Sequence, residues 1–112
     1  MTWTAAEDHC VSFGGHLASI HSQEEMDFLF SKMEKYDYYW VGGNDVAEAG
    51  TWTWIDGSPF EFEKWISRYP SATTNWNCMQ ITHSGGGIVS GMVNYSVCEI
   101  ARPFICKADP VW

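Results

Sequence analysis

Four cysteines, Cys10, Cys78, Cys98 and Cys106, constrain this 112-residue chain more than any other feature. Two lie near the ends and two form an inner pair. A nested arrangement would close Cys10–Cys106 around nearly the whole chain and let Cys78–Cys98 pin one long loop inside it. Four cysteines allow three connectivities, so the spacing alone leaves the pairing open. A bridge that closes a loop of about 100 residues contributes roughly 4–5 kcal/mol by restricting the unfolded chain. An even cysteine count in a small chain fits an oxidising, extracellular setting. The alternatives are four free thiols or a zinc site, and the lack of a close Cys-x-x-Cys pair argues against zinc.

The length suits one domain, taken here as residues 1–112. Seven Trp, five Tyr and six Phe are too many aromatics to leave exposed, so several Trp must be core. No apolar run approaches the roughly 18 residues of a membrane span, so no membrane insertion is expected in this segment. No leader is visible before Trp3, which reads as a trimmed form if the protein is secreted. A net charge of −8 argues against a nucleic-acid partner. The charge is unevenly spread. Residues 1–63 hold twelve Asp/Glu against two Lys, while residues 64–107 hold Glu99 alone against Lys64, Arg68, Arg102 and Lys107. The half that contains the inner cysteine pair is nearly free of carboxylates.

Thr4-Ala5-Ala6-Glu7 reads as a capping box that opens a first helix. Ala6, Cys10 and Phe13 recur at helical spacing and predict one buried stripe, and Gly14-Gly15 ends the helix. Leu17–Ile20 is predicted as a short strand. A second capping box at Ser22–Glu25 opens a helix with Met26, Leu29, Phe30 and Met33 on its inward face. Glu24, Glu25 and Asp27 in its first turn, and Lys32 and Lys35 in its last, complement the helix dipole. From Tyr38 the pattern becomes β. Tyr39–Gly43 is an aromatic strand, and Thr51-Trp52-Thr53-Trp54 alternates two Trp on one face with two Thr on the other. Asp56-Gly57 is a turn, and Phe60 and Phe62 alternate with Glu61 and Glu63. Residues 66–76 are loop. Strands are predicted at Cys78–Ile81, Ile88–Val93 and Pro103–Lys107, with a break at Gly85–Gly87. Two helices followed by short strands predict an α+β domain.

The run from Trp3 to Trp65 resembles a C-type lectin-like domain. Ala5–Cys10, Gly15–Ser22 and Glu25 match its helical half. Trp40-Val41-Gly42-Gly43-Asn44-Asp45 stands at its central Trp-Ile-Gly-Leu motif, and Gly50–Trp54, Asp56-Gly57 and Trp65 continue it. Cys78, Cys98 and Arg102–Cys106 close it, so the match covers most of the chain. The resemblance implies two helices packed on short antiparallel sheets, a long loop region, and the pairing Cys10–Cys106 with Cys78–Cys98. Relatives usually carry a strand or hairpin before the first helix, beside the C-terminal strand. Its absence here predicts an open edge around Arg102–Lys107, a site for homodimer pairing.

Sugar-binding relatives hold calcium with a Glu-Pro-Asn triplet, a Glu before the third cysteine and a Trp-Asn-Asp triplet before the fourth. Calcium takes several hard oxygen ligands, mostly carboxylates. The first triplet aligns with Tyr69-Pro70-Ser71, the Glu position falls at Trp76 or Asn77, and the last triplet aligns with Val93-Asn94-Tyr95. Asn94 alone survives as a ligand type. No cofactor is expected, and calcium is not favoured. Asp45 and Glu48 resemble an auxiliary calcium position, but the long loop offers them no acid, so two solvated acids in a turn are the simpler reading.

Asn94-Tyr95-Ser96 is also a glycosylation sequon, which makes Asn94 a candidate glycan carrier. His9, His16 and His21 could suggest zinc, yet His16 and His21 point to opposite faces of a strand and His9 lies on a helix. Glu61 and Glu63 could suggest a glycosidase pair, but a solvated strand face opposite Phe60 and Phe62 is simpler. No nucleophile elbow, phosphate loop or catalytic thiol is present, and the chain does not read as an enzyme. Loops 66–77 and 82–97 are rich in Ser, Thr, Gly, Asn, Tyr and Trp, residues common in binding surfaces. Arg68, Tyr69, Ser71, Trp76, Asn77, Asn94 and Tyr95 are the ligand-binding candidates.

These observations predict an extracellular recognition module, secreted or part of a larger ectodomain. Its ligand is a protein surface bound without the usual calcium-dependent sugar site. The alternative is a lectin that binds glycan on a cell surface or in extracellular fluid through an altered or calcium-free site. Ice binding ranks third, since some fish antifreeze proteins share the fold and Thr51 and Thr53 share a face.

Overall fold

The computed structural model describes residues 1–33, 37–72, 76–83, 90–94 and 97–108. Helix α1 spans Trp3–Ser12 and is capped by Thr2, whose hydroxyl accepts from the Ala5 N–H at 3.2 Å. The cap therefore lies two residues before Thr4, and the capping box expected at Thr4–Glu7 does not form. The reason is tertiary. Trp3 is buried and its indole Nε1 donates to the Val41 carbonyl at 2.9 Å, so the helix must begin early enough to turn that ring inward. Glu7 is spent elsewhere: it accepts from the Leu17 N–H at 2.8 Å and meets His16 Nδ1 at 2.6 Å. Ala6 and Cys10 are buried as expected, but Phe13 is 72% exposed. The helix ends at Ser12, so Phe13 falls outside its buried stripe, and Gly14 at φ +84° then turns the chain.

Strand β1, Gly15–Leu17, lies earlier than the strand expected at Leu17–Ile20. Helix α2, Gln23–Ser31, is capped by Ser22, which accepts from the Glu25 N–H. Glu25 reaches back one residue further than a standard box, to the His21 N–H at 2.7 Å. Met26 and Met33 are buried, and Leu29 and Phe30 pack against the same core. Lys32 sits at the helix end, and Lys35 lies outside the described residues.

Four strands follow in the main sheet: β2 (Tyr39–Asn44), β3 (Thr53–Trp54), β4 (Cys78–His83) and β5 (Ser90–Val93). Their order is β3-β2-β4-β5, all antiparallel. The strand expected over Thr51–Trp54 is shortened to its last two residues, because the Thr51 N–H is used in a turn to the Glu48 carbonyl. The alternation nonetheless holds: Thr51 and Thr53 are exposed, Trp54 is buried and Trp52 is half-buried. Phe60–Glu63 forms no strand, yet both Phe pack on the core and both Glu are exposed. The strand expected from Ile88 is described from Ser90 on; Gly85–Gly87, Ile88 and Val89 lie outside the described residues.

The last strand, β6 (Cys106–Ala108), begins later than expected and pairs with β1, Leu17 opposite Cys106 and Gly15 opposite Ala108. Just before it, Phe104 bridges Trp40 of β2, which joins the small sheet to the large one. At the edge where an opening was expected, Met1 and Arg102 exchange two backbone hydrogen bonds of 2.9 and 3.1 Å, and Cys106 and Ala108 remain exposed.

Two buried clusters fill the interior. One, around Trp3, Leu17, Trp40 and Cys10, seals α1 against the sheets. The other, around Ile20, Met26, Val41, Trp54, Met79 and Ile81, lies between α2 and the main sheet. The disulfides are Cys10–Cys106 and Cys78–Cys98, with Cα atoms 5.4 and 5.5 Å apart. The pairing is nested. Among the described residues no helix is long and apolar enough to cross a membrane.

Candidate functional site

The segment after β3 is laid along the free edge of β5 before it enters the loop. The Met92 N–H donates to the Lys64 carbonyl at 2.7 Å, and the Ile66 N–H donates to the Met92 carbonyl at 3.0 Å. This approach needs Gly91, at φ +147°, where an added Cβ would lie 2.4 Å from the Lys64 oxygen. A glycine inside a strand is the sequence signal for such a close backbone approach, and the candidate set lacked it. The Tyr69 N–H then bonds to the Ile66 carbonyl at 2.9 Å, Arg68 takes φ +78°, and the Tyr69–Pro70 peptide is cis.

Asn94 fastens the loop beyond this point. It follows β5 directly and is 1% exposed. Its Oδ1 accepts from the Ser71 N–H at 2.6 Å, and its Nδ2 donates to the Ser71 carbonyl at 2.7 Å and the Trp76 carbonyl at 2.9 Å. One buried carboxamide thus ties both limbs of the loop to the sheet, with every donor and one acceptor used. The exit is fixed by the Asp45 N–H donating to the Asn77 carbonyl at 3.0 Å and by the Cys78–Cys98 bridge.

The expected ligand candidates divide accordingly. Arg68 is exposed, and Tyr69, Ser71, Trp76 and Asn77 are half-buried around the loop. Asn94 is withdrawn from the surface. A glycan on its Nδ2 is incompatible with this conformation, because both amide hydrogens are engaged inside the fold. Tyr95, and Ser96 of the sequon, lie outside the described residues.

The residues do not fit a calcium ion of the kind the resemblance implies. The oxygen of Asn94 is already an acceptor for Ser71, and carboxylates are missing from the positions around it. Asp45 Oδ2 accepts from the Gly50 N–H at 2.8 Å, closing its own turn, and Glu48 is exposed. Among the described residues, no three His, Cys, Asp or Glu side chains come together as a metal site. The three histidines separate: His9 packs edge-on to Phe13 and Phe104, His16 meets Glu7, and His21 Nε2 lies 3.1 Å from Ser19 Oγ.

The shifted ionisable groups belong to a polar knot away from these loop residues. Lys107 Nζ meets Glu25 Oε2 at 2.8 Å and donates to the Ser19 carbonyl at 3.2 Å, while the Ser19 hydroxyl donates to Asp56 at 2.6 Å. Burial pushes the Glu25 carboxyl up, but bonds from Lys107 and the His21 N–H outweigh it and hold it below its ordinary value. Burial likewise raises Asp56, and bonds from Ser19 and Ser58 with the Lys107 charge bring it below its ordinary value.

With the pairing, the helices and the loop ties in view, comparison with known proteins is decisive. The family model for the Lectin C-type domain matches residues 1–108. The chain belongs to the C-type lectin domain family. This lectin-like domain is 46% identical over 82 residues to a type-2 ice-structuring protein of Hemitripterus americanus, covering 73% of the chain and 49% of the relative. It is 32% identical to the galactose-specific lectin nattectin of Thalassophryne nattereri over 97% of the chain and 69% of the relative. The solved structure of a calcium-independent type II antifreeze protein superposes with a TM-score of 0.85 at 36% identity, covering 96% of this chain and 79% of that one. The chain spans about half the length of the ice-structuring relative it matches.

Proposed function

We propose that this domain is a non-catalytic extracellular recognition module that binds a protein surface through its long loop without calcium. The binding surface comprises Arg68, Tyr69, Ser71, Trp76 and Asn77; Tyr95 joins the set on its sequence alone. One observation carries the reading: the buried Asn94 carboxamide holds Ser71 and Trp76 in place by hydrogen bonds. A loop ordered by protein groups needs no metal to preform its surface, and a preformed surface avoids part of the ordering cost of binding. Secretion, or a place in a larger ectodomain, follows from the two disulfides. Pairing of two copies along the exposed β6 edge belongs to the same reading.

Isothermal titration with calcium, followed by ligand screens with and without chelator, tests it. The expected result is no saturable calcium binding tighter than millimolar and ligand capture that chelator leaves unchanged. Calcium binding at micromolar affinity sinks the reading. Glycan-array binding that persists in chelator, with no protein ligand, moves the domain to the calcium-free lectin class.

Ice binding gains support as a second reading. Thr51 and Thr53 are both exposed at the edge strand of the main sheet, and two of the proteins most similar to this chain carry ice-structuring or antifreeze names. Thermal hysteresis in chelator, reduced by Thr53→Tyr, is the expected result for that reading; its absence at millimolar protein removes it.

A further inference from the structure

Outside the loop residues, two tryptophans form a corner beside a carboxylate. Trp52 precedes β3, and Trp65 lies in the segment docked on β5, between Lys64 and Ile66. Their rings meet edge to face, with centroids 5.0 Å apart and planes at 65°. Both side chains pack against the core and are half-buried. The Trp65 Nε1 donates to Glu63 Oε1 at 2.9 Å, which fixes the carboxylate against the ring. Glu61 is exposed two residues earlier, and among the described residues neither acid forms an ion pair, Lys64 included.

From this geometry we infer that Trp52, Trp65 and Glu63 form a binding site for an alkylammonium group, presented by a partner protein as a lysine side chain. Aromatic faces carry negative electrostatic potential and attract cations, and two rings set at a steep angle offer two walls to one such group. The carboxylate adds a charge-assisted acceptor at the same place. Because Glu63 already occupies the Trp65 donor, the pair presents acceptor oxygen at that point. This matches an ammonium, which has donors alone. The net charge of −8 favours the same sign of ligand. The site is independent of the loop reading and survives its failure.

The test is a titration followed through the indole N–H signals of the intact domain by heteronuclear NMR, with Trp52→Phe and Trp65→Phe used for assignment. Tetramethylammonium and N-acetyl-lysine methylamide are the probes, and 3,3-dimethylbutanol is the neutral control of similar shape. The expected result is saturable movement of the Trp52 and Trp65 signals with both cations and not with the alcohol. Glu63→Gln should weaken cation affinity by about three- to tenfold while leaving the rest of the spectrum in place. Added salt should weaken it further. Equal response to the neutral control reduces the corner to an apolar patch and overturns the proposal. So does failure to saturate, or a stronger response to methyl galactoside that Glu63→Gln leaves unchanged. Phosphocholine bound in preference to the lysine probe overturns the assignment to a protein partner.

Discussion

Cys10–Cys106 joins α1 to β6, and its Cys10 end lies in the buried apolar cluster of Trp3, Ala6, Leu17 and Trp40. Cys78–Cys98 roots in the same cluster, but the loop it closes is tied down by polar contacts: three hydrogen bonds with Asn94, one from Asp45 to Asn77, and the backbone pairing of Lys64 and Ile66 with Met92. The first region holds its shape by excluding water. Each large apolar side chain buried there contributes about 1.5–3 kcal/mol, with little dependence on exact angles. The second holds its shape by satisfying particular donors and acceptors, so a single change in hydrogen-bonding pattern can release it. Exposed loop residues stay adaptable while their backbone is fixed, which is what a replaceable binding surface requires.

The difference can be broken from either side. Removing both cysteines of the outer bridge, which spans 96 residues, should cost about 4–5 kcal/mol, against about 3 kcal/mol for the inner bridge spanning 20. Urea unfolding of the two double Cys→Ala variants measures this. A larger loss from the inner pair would mean that the loop region carries the fold. Asn94→Ala should come next. It strands the Ser71 N–H and two carbonyls, a loss of about 2–3 kcal/mol concentrated in the loop. Hydrogen exchange should show Ser71 deprotected while α1 keeps its protection, and uniform deprotection would contradict a separate loop region.

Acid offers a smaller and reversible probe of the knot around Lys107. Glu25 and Asp56 have lowered folded-state values, so their contribution is fully present above about pH 5 and lost as pH falls through the carboxylate range. Melting temperature should therefore drop below about pH 4, and less steeply in Glu25→Gln. An unchanged slope in that variant removes Glu25 from the account. Smallest of all, Phe13→Ser should change stability by about 0.5 kcal/mol or less, because the ring is already 72% exposed. A greater loss would show that the ring contact between Phe13 and His9 anchors α1.

Much of the frame was legible from residues. Ser22 and Glu25 announced α2, the Thr/Trp alternation announced which side of β3 is buried, and the family pattern supplied the pairing. Local chemistry decided these, because a cap or an alternating strand acts within a few residues of itself. Thr4, Glu7 and Phe13 misled for the opposite reason. The demand to bury Trp3 and bond it to Val41, 38 residues away, moved the helix start and left Glu7 for Leu17.

The sequence by itself determined that the four cysteines staple a lectin-like frame and that the carboxylates of a calcium site are gone from its loop. Tertiary structure alone decided what stands in their place. Asn94 reads as a surface sequon or a surviving ligand until 23 residues of chain fold back and bring Ser71 against it. Trp52 and Trp65 meet for the same reason. Composition names the groups present, but hydrogen bonding and ring contact depend on ångström-scale separation, which the folded packing sets.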